Sequence, residues 1–145
     1  MKISTKGRYG LKAVFEIAQS YGQAPVSVRA ISEKHEISEQ YLEQLFKKLR
    51  SAGIVRSIRG AQGGYELTRP PKEITVGQVL RAMEGTVAPV SCAEADANCA
   101  YAQSCVENYV YRKIRQAIDE VVDHLTLFDM IEEQNKILHN RRGEQ

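Results

Sequence analysis

All three cysteines of the chain, Cys92, Cys99 and Cys105, lie in the stretch SCAEADANCAYAQSC, with six residues between the first two and five between the last two. They are set among Ala, Ser, Asn and acidic residues and do not follow the apolar period that buried structural thiols usually share. An odd number of thiols argues against a disulfide framework, which needs pairs and an oxidising compartment. Thiolate ligation is the leading use. Soft thiolates select zinc, copper(I) or iron-sulfur clusters, and structural zinc sites separate paired cysteines by only about two to four residues. The wider spacing favours a cluster, with zinc and three unrelated loop thiols as the alternatives.

The elements that must position these thiols come from a chain of 145 residues, 43% of them hydrophobic, enough for one cored domain with an appended element. No run approaches the ~20 apolar residues of a membrane span, and Met1 to Ser4 lacks the apolar stretch of a signal sequence. The expectation is a cytoplasmic protein with no membrane partner. Charge is unevenly placed: 13 Lys and Arg against 6 Asp and Glu up to Lys72, then 7 against 12 from Glu73 onward. A basic front half and an acidic back half suit a nucleic-acid reader with a separate sensing or assembly region.

The spacing of Leu11, Val14, Phe15 and Ala18 predicts a first helix over residues 6–21, ended by Gly22. Lys2, Lys6, Arg8 and Lys12 crowd its start, where a phosphate can be held by cations and backbone N–H groups. Ser27 caps a short helix over 28–34 that buries Val28 and Ile31, and Ser38 caps a third over 39–52 with Leu42, Leu45, Phe46 and Leu49 on one face. The opposite face of this third helix carries Gln40, Glu43, Gln44, Lys47 and Lys48. Two short helices joined by a tight turn, the second with an amide-rich and basic outer face, read as a helix-turn-helix. Gln reads adenine edges in the major groove by bidentate hydrogen bonds, and Lys47 and Lys48 suit phosphates.

Residues 54–58 and 65–68 read as two strands around the turn Arg59-Gly60-Ala61-Gln62-Gly63-Gly64. An Arg at a glycine-rich hairpin tip directly after a helix-turn-helix is the wing of a winged helix, narrow enough for a minor groove. Without a Walker lysine the glycines do not suit a nucleotide loop. Thr75 to Gln78 is a capping box for a short helix closed by Gly85. Beyond Cys105 a long helix is expected from about Tyr109, with Tyr111, Ile114, Ile118, Val121 or Val122, and Leu125 as an apolar stripe that meets a second chain or the first helix of its own. Thr126 and Asp129 form a second capping box, and a polar, frayed tail is expected from Asn140.

These residues resemble a known family, the winged-helix iron-sulfur regulators of the IscR type. The resemblance covers nearly the whole chain and rests on ISTKGRYGL from Ile3, ISEQYLEQLFKKLRSAGIVRSIRGAQGGYEL from Ile37, ITVGQVLRAMEG from Ile74, and the three cysteines. It implies a homodimeric transcription factor that binds a double-stranded DNA operator and holds an iron-sulfur cluster, commonly 2Fe-2S, on Cys92, Cys99 and Cys105. It also implies DNA contacts by Ser38, Gln40, Glu43, Gln44 and Arg59. The family's fourth ligand is a His three residues past the last cysteine, where this chain has Asn108. The nitric-oxide-sensing branch has an acid near the start of its first helix, where this chain has Arg8. Glu107, the nearest carboxylate, is the candidate fourth ligand, followed by Asp96 and Glu43.

The expected architecture is mainly α with a small β-hairpin wing. It comprises a winged helix-turn-helix DNA-binding domain over 1–85, a cysteine-rich cluster-binding loop over 86–108, dimerisation and C-terminal helices over 109–139, and a tail over 140–145. The function expected is transcriptional regulation through a cysteine-ligated cluster that reports iron-sulfur status, oxidants or nitric oxide. A cluster-free regulator working by thiol chemistry or a small ligand is the alternative. An enzyme would need a base near the loop, and His35, His124 and His139 are far from it in sequence.

Overall fold

Three serines begin the fold by capping three helices. Their hydroxyls accept backbone N–H groups three residues on: Ser4 from Gly7, Ser27 from Ala30 and Ser38 from Tyr41. The capped helices are α1 (Thr5–Gln19), α2 (Val28–His35) and α3 (Glu39–Ser51). Between α2 and α3, Glu36 takes a left-handed conformation (φ 55°) that ends the first and turns the chain into the second. The computed structural model describes every residue except 1, 95, 96, 98, 99, 102, 103 and 145.

After α3 the chain forms an antiparallel hairpin of β1 (Val55–Ile58) and β2 (Gly64–Leu67), in a register that pairs Val55 with Leu67 and Ser57 with Tyr65. A 3-10 turn at Pro71–Glu73 leads to α4 (Val76–Glu84), whose Thr75–Gln78 capping box is formed in both directions. A second 3-10 turn, Ser91–Ala93, precedes α5 (Val106–His124) and α6 (Leu127–Gly143). The Thr126–Asp129 capping box opens α6 as expected. The mainly helical fold with its hairpin wing is thus the winged helix anticipated from the sequence. No helix among the described residues is long and apolar enough to cross a membrane.

The core is built where the apolar faces converge. Leu42, Leu45, Phe46 and Leu49 of α3 are all buried and meet Ala13, Val14, Ile17 and Ala18 of α1, Ile31 of α2, Ile54, Leu67, and Val79 and Met83 of α4. Phe46 is fully buried, and truncating such a side chain to Ala costs about 3–5 kcal/mol. The outer face of α3 is consequently fixed in orientation.

Three features differ from expectation. The second strand of the wing gains a partner on its other edge, because Val26 and Tyr65 exchange two backbone hydrogen bonds of 3.0 and 2.8 Å. Gly64 makes this approach possible: it sits at φ 154°, and a Cβ there would collide with the Val26 carbonyl. Helix α5 starts at Val106, three residues before the expected Tyr109, with Cys105 as its N-cap. The expected tail from Asn140 continues instead as α6 through Gly143.

The long helix also packs differently. Helix α5 lies against α4, whereas α6 returns to α1. Ile118 and Val122 of the expected stripe line a hollow with Leu80 of α4, while Val121 and Leu125 stay exposed. A backbone bridge fixes the return, with Val76 N–H donating to Leu125 O at 2.8 Å and Leu127 N–H to Ile74 O at 2.9 Å. Leu127 itself is fully buried in the core.

Candidate nucleic-acid interface and cysteine site

With one face of α3 sealed in the core, the other is left to solvent. Gln40, Glu43, Gln44, Lys47 and Lys48 are all exposed on it, and Ser38 stands at its N-terminus. Arg59 is exposed at the tip of the wing, immediately after β1. The tip is tight: Gly63 N–H donates to Gly60 O at 3.0 Å, closing the loop that presents Arg59. A helix face rich in amides and cations beside a narrow cationic hairpin can lay hydrogen-bond donors and acceptors against base edges and charges against phosphates.

Glu43 is not simply solvated. The Tyr65 hydroxyl donates to its Oε2 at 3.2 Å, while the Tyr65 ring stacks on Phe46 with centroids 4.3 Å apart. Burial, and then the Glu43 charge and hydrogen bond, push the Tyr65 phenol above its ordinary value, so it remains a donor.

The cations near the start of α1 divide in role. A phosphate at the backbone N–H groups there meets a rival, because Glu84 of α4 already accepts the Ser4 N–H at 2.7 Å. Its carboxylate occupies the positive helix end. Lys6, however, lies beside Lys48 of α3, and that contact followed by its charge pulls the Lys48 ammonium below its ordinary value. Two like charges held together at the surface suit an anion between them. Arg8 instead donates to Thr5 Oγ1 at 3.4 Å, and Lys12 stands 5.9 Å over the Tyr9 ring.

The ends of the cysteine loop are drawn together by Asn108, a buried polar residue that is 1% exposed. Its Nδ2 donates to Cys92 O at 3.0 Å, and its backbone N–H donates to Cys105 Sγ at 3.4 Å. Cys92 and Cys105 are both half-buried free thiols. Cys105 Sγ also stands 3.6 Å from Glu107 Oε2, in the exposed first turn of α5. Cys99 and Asp96 lie outside the described residues, and no group of three or more His, Cys, Asp and Glu placed to hold a metal occurs among the described ones. The three histidines serve elsewhere. His35 pairs with Glu16 at 2.9 Å, His124 bonds the Glu120 carbonyl at 2.6 Å, and His139 is exposed on α6.

A family model for Rrf2, described as an iron-dependent transcriptional regulator, matches residues 3–133. The chain belongs to the Rrf2 family. It is 44% identical over 130 residues to the HTH-type transcriptional regulator CymR of Bacillus subtilis, covering 90% of this chain and 89% of the relative. The structure of CymR, the global cysteine regulator of B. subtilis, superposes with a TM-score of 0.76 at 43% identity over 92% of this chain and 98% of that one. The T. potens IscR structure matches with a TM-score of 0.75 at 42% identity, covering 92% of this chain and 88% of that one. The Rrf2 assignment makes the chain a DNA-binding winged-helix transcriptional regulator rather than an enzyme.

Two residues of this Rrf2 chain escaped sequence reasoning. Tyr65 reads locally as an alternating strand residue, and nothing in the pattern announces a partner 22 positions away. Asn108 reads as a neutral substitute at a ligand position. Its burial arises only because Ser91–Ala93 packs on α5.

Proposed function

We propose that this regulator acts as a homodimer whose affinity for operator DNA is set by an iron-sulfur cluster, 2Fe-2S, held on Cys92, Cys99 and Cys105. The observation that carries the reading is the Asn108 clamp, which bonds the Cys92 backbone carbonyl and the Cys105 Sγ and so draws these two half-buried, unpaired cysteines toward the start of α5. A sulfur accepting a backbone N–H is a recurring feature of cluster ligands, whose potentials are tuned by such bonds. Among the described residues, Cys92 and Cys105 therefore suit the group as thiolate ligands. Glu107 is the candidate oxygen ligand for the remaining position, since its carboxylate already lies within 3.6 Å of Cys105 Sγ. The cluster would supply sensitivity to iron supply, oxidants or nitric oxide.

In this reading Ser38, Gln40, Glu43 and Gln44 face bases, Lys47 and Lys48 face phosphates, and Arg59 enters the neighbouring minor groove. Glu43 accepts from a cytosine N4 donor. Residues 1–85 form the DNA-binding unit, the loop to 108 the sensor, and α5 the dimer contact.

Anaerobic purification followed by visible spectroscopy and iron and sulfide analysis tests the cluster. Visible absorbance with near-stoichiometric iron and sulfide is expected, and colourless protein containing zinc or no metal would overturn it. A second reading is favoured by the 44% identity to CymR, itself a global cysteine regulator: regulation by thiol chemistry at the same cysteines without a cluster. Colourless protein whose DNA binding responds reversibly to oxidant and reductant would select it.

A further inference from the structure

The Tyr65 hydroxyl lies at the junction of three elements. Its backbone N–H and carbonyl are both bonded to Val26, at 2.8 and 3.0 Å, and on the other side it stands opposite Ser57 in the register of the wing as a non-hydrogen-bonded pair. Tyr65 is 9% exposed, and its ring stacks on Phe46 of α3 at 4.3 Å with an interplanar angle of 9°. Held at both backbone and ring, the hydroxyl has one hydrogen-bond partner among the described residues, Glu43 Oε2 at 3.2 Å. Glu43 belongs to the exposed outer face of α3, so its carboxylate would otherwise sample several rotamers.

We infer that Tyr65 is a positioning residue for DNA sequence selection: its hydroxyl holds Glu43 in the one rotamer that offers a carboxylate oxygen to a base edge. This rests on the proposal that Glu43 reads DNA. One carboxylate oxygen is occupied by Tyr65, and the other is left to accept from an amino group such as cytosine N4. A carboxylate so fixed accepts from the right base without first losing side-chain freedom. Against a wrong base it cannot swing away, and an acceptor opposed to an acceptor is repelled. The phenol also links the reading helix to the wing, because the same residue is a rung of the hairpin that presents Arg59.

The test compares wild type, Tyr65→Phe, Glu43→Ala and the double variant for binding to a randomised double-stranded oligonucleotide pool, followed by individual duplexes differing at the most Glu43-sensitive position. Phe keeps the ring on Phe46 and removes only the hydroxyl. Tyr65→Phe is expected to reduce discrimination at that position by about fivefold, the effect of losing one typical hydrogen bond. Affinity for non-selected duplex should be unchanged or higher, and the melting temperature should stay close to wild type. The double variant should discriminate no worse than Glu43→Ala alone, because one residue acts through the other. If Glu43→Ala loses discrimination while Tyr65→Phe retains it, the positioning role is overturned and Glu43 stands as a reader by itself. Equal weakening of all duplexes by Tyr65→Phe, with a lowered melting temperature, would assign Tyr65 a purely structural role. No change in selectivity for Glu43→Ala would remove both Glu43 as a reader and the inference built on it.

Discussion

Arg81 of α4 grips Asp123 of α5 through two hydrogen bonds, Nη1 to Oδ1 at 2.6 Å and Nη2 to Oδ2 at 3.0 Å, and the same Nη2 reaches Asp119 at 2.7 Å. This planar fork is a polar link between α4 and α5, the helix that Cys105 caps. Gly77 makes it possible, because a Cβ there would collide with the Asp123 carboxylate.

Loss of the fork should loosen α5 from α4. Arg81→Ala is expected to lower stability by about 1 kcal/mol, since the groups are partly exposed and screened. The hydrogen bond from Arg81, working against burial, holds the Asp123 carboxyl below its usual range. A carboxylate whose folded value is depressed contributes stability above its unfolded value and loses it as pH falls through the folded one. The gap between wild type and Arg81→Ala in urea unfolding should therefore be full at pH 7 and shrink below about pH 4. A gap that is constant from pH 7 to pH 3 would contradict the assignment.

Binding to operator DNA should fall steeply with salt, as each neutralised phosphate releases counterions. Lys47→Ala or Lys48→Ala should weaken all duplexes about equally and reduce the slope of log K against log salt by about 1. Arg59→Ala should cost about 1–3 kcal/mol at a selected site. Fluorescence anisotropy across a salt series separates the two behaviours, and an unchanged Arg59→Ala affinity would remove the wing tip from the reading set.

The thiol site offers a different measurement. In anaerobic protein, Glu107→Ala should lose cluster or shift its visible spectrum, and Glu107→Cys should retain it more firmly, because thiolate is a softer donor for iron than carboxylate. If neither variant changes spectrum or retention, Glu107 is not a ligand.

Assembly should depend on the side of α5 turned away from α4. Val110 and Val121 are 47% and 58% exposed there, so neither is needed to fold one chain. Val110→Glu with Val121→Glu is expected to shift the protein from dimer to monomer in light scattering with its helical content intact. A dimer that persists would place the contact elsewhere.

What the sequence by itself determined is local. Ser27, Ser38, Thr75 and Thr126 were legible as caps because a cap joins a side chain to an N–H three residues on. Leu42, Leu45, Phe46 and Leu49 were legible as core because the helical period puts them on one face, and Arg59 as part of a wing tip because a glycine-rich turn follows it. The outer face of α3 followed by exclusion, and the motifs carried the resemblance to the IscR-type regulators.

The tertiary structure decided whatever depends on distant segments meeting. Helix α5 starts at Val106 because its N-terminal turn is fastened to Cys105 Sγ and, through Asn108, to a carbonyl 16 residues back. Val121 and Val122 looked interchangeable in sequence until α4 covered Val122 and left Val121 to solvent. The start of helix α6 is tied to the start of α4 by backbone bonds between residues 74–76 and 125–127, which no side-chain pattern announces. Glu43 became more than a surface acid because the wing delivers Tyr65 to it. Periodicity records which face of an element is apolar, but a contact between elements depends on how close their backbones come, and packing alone sets that distance.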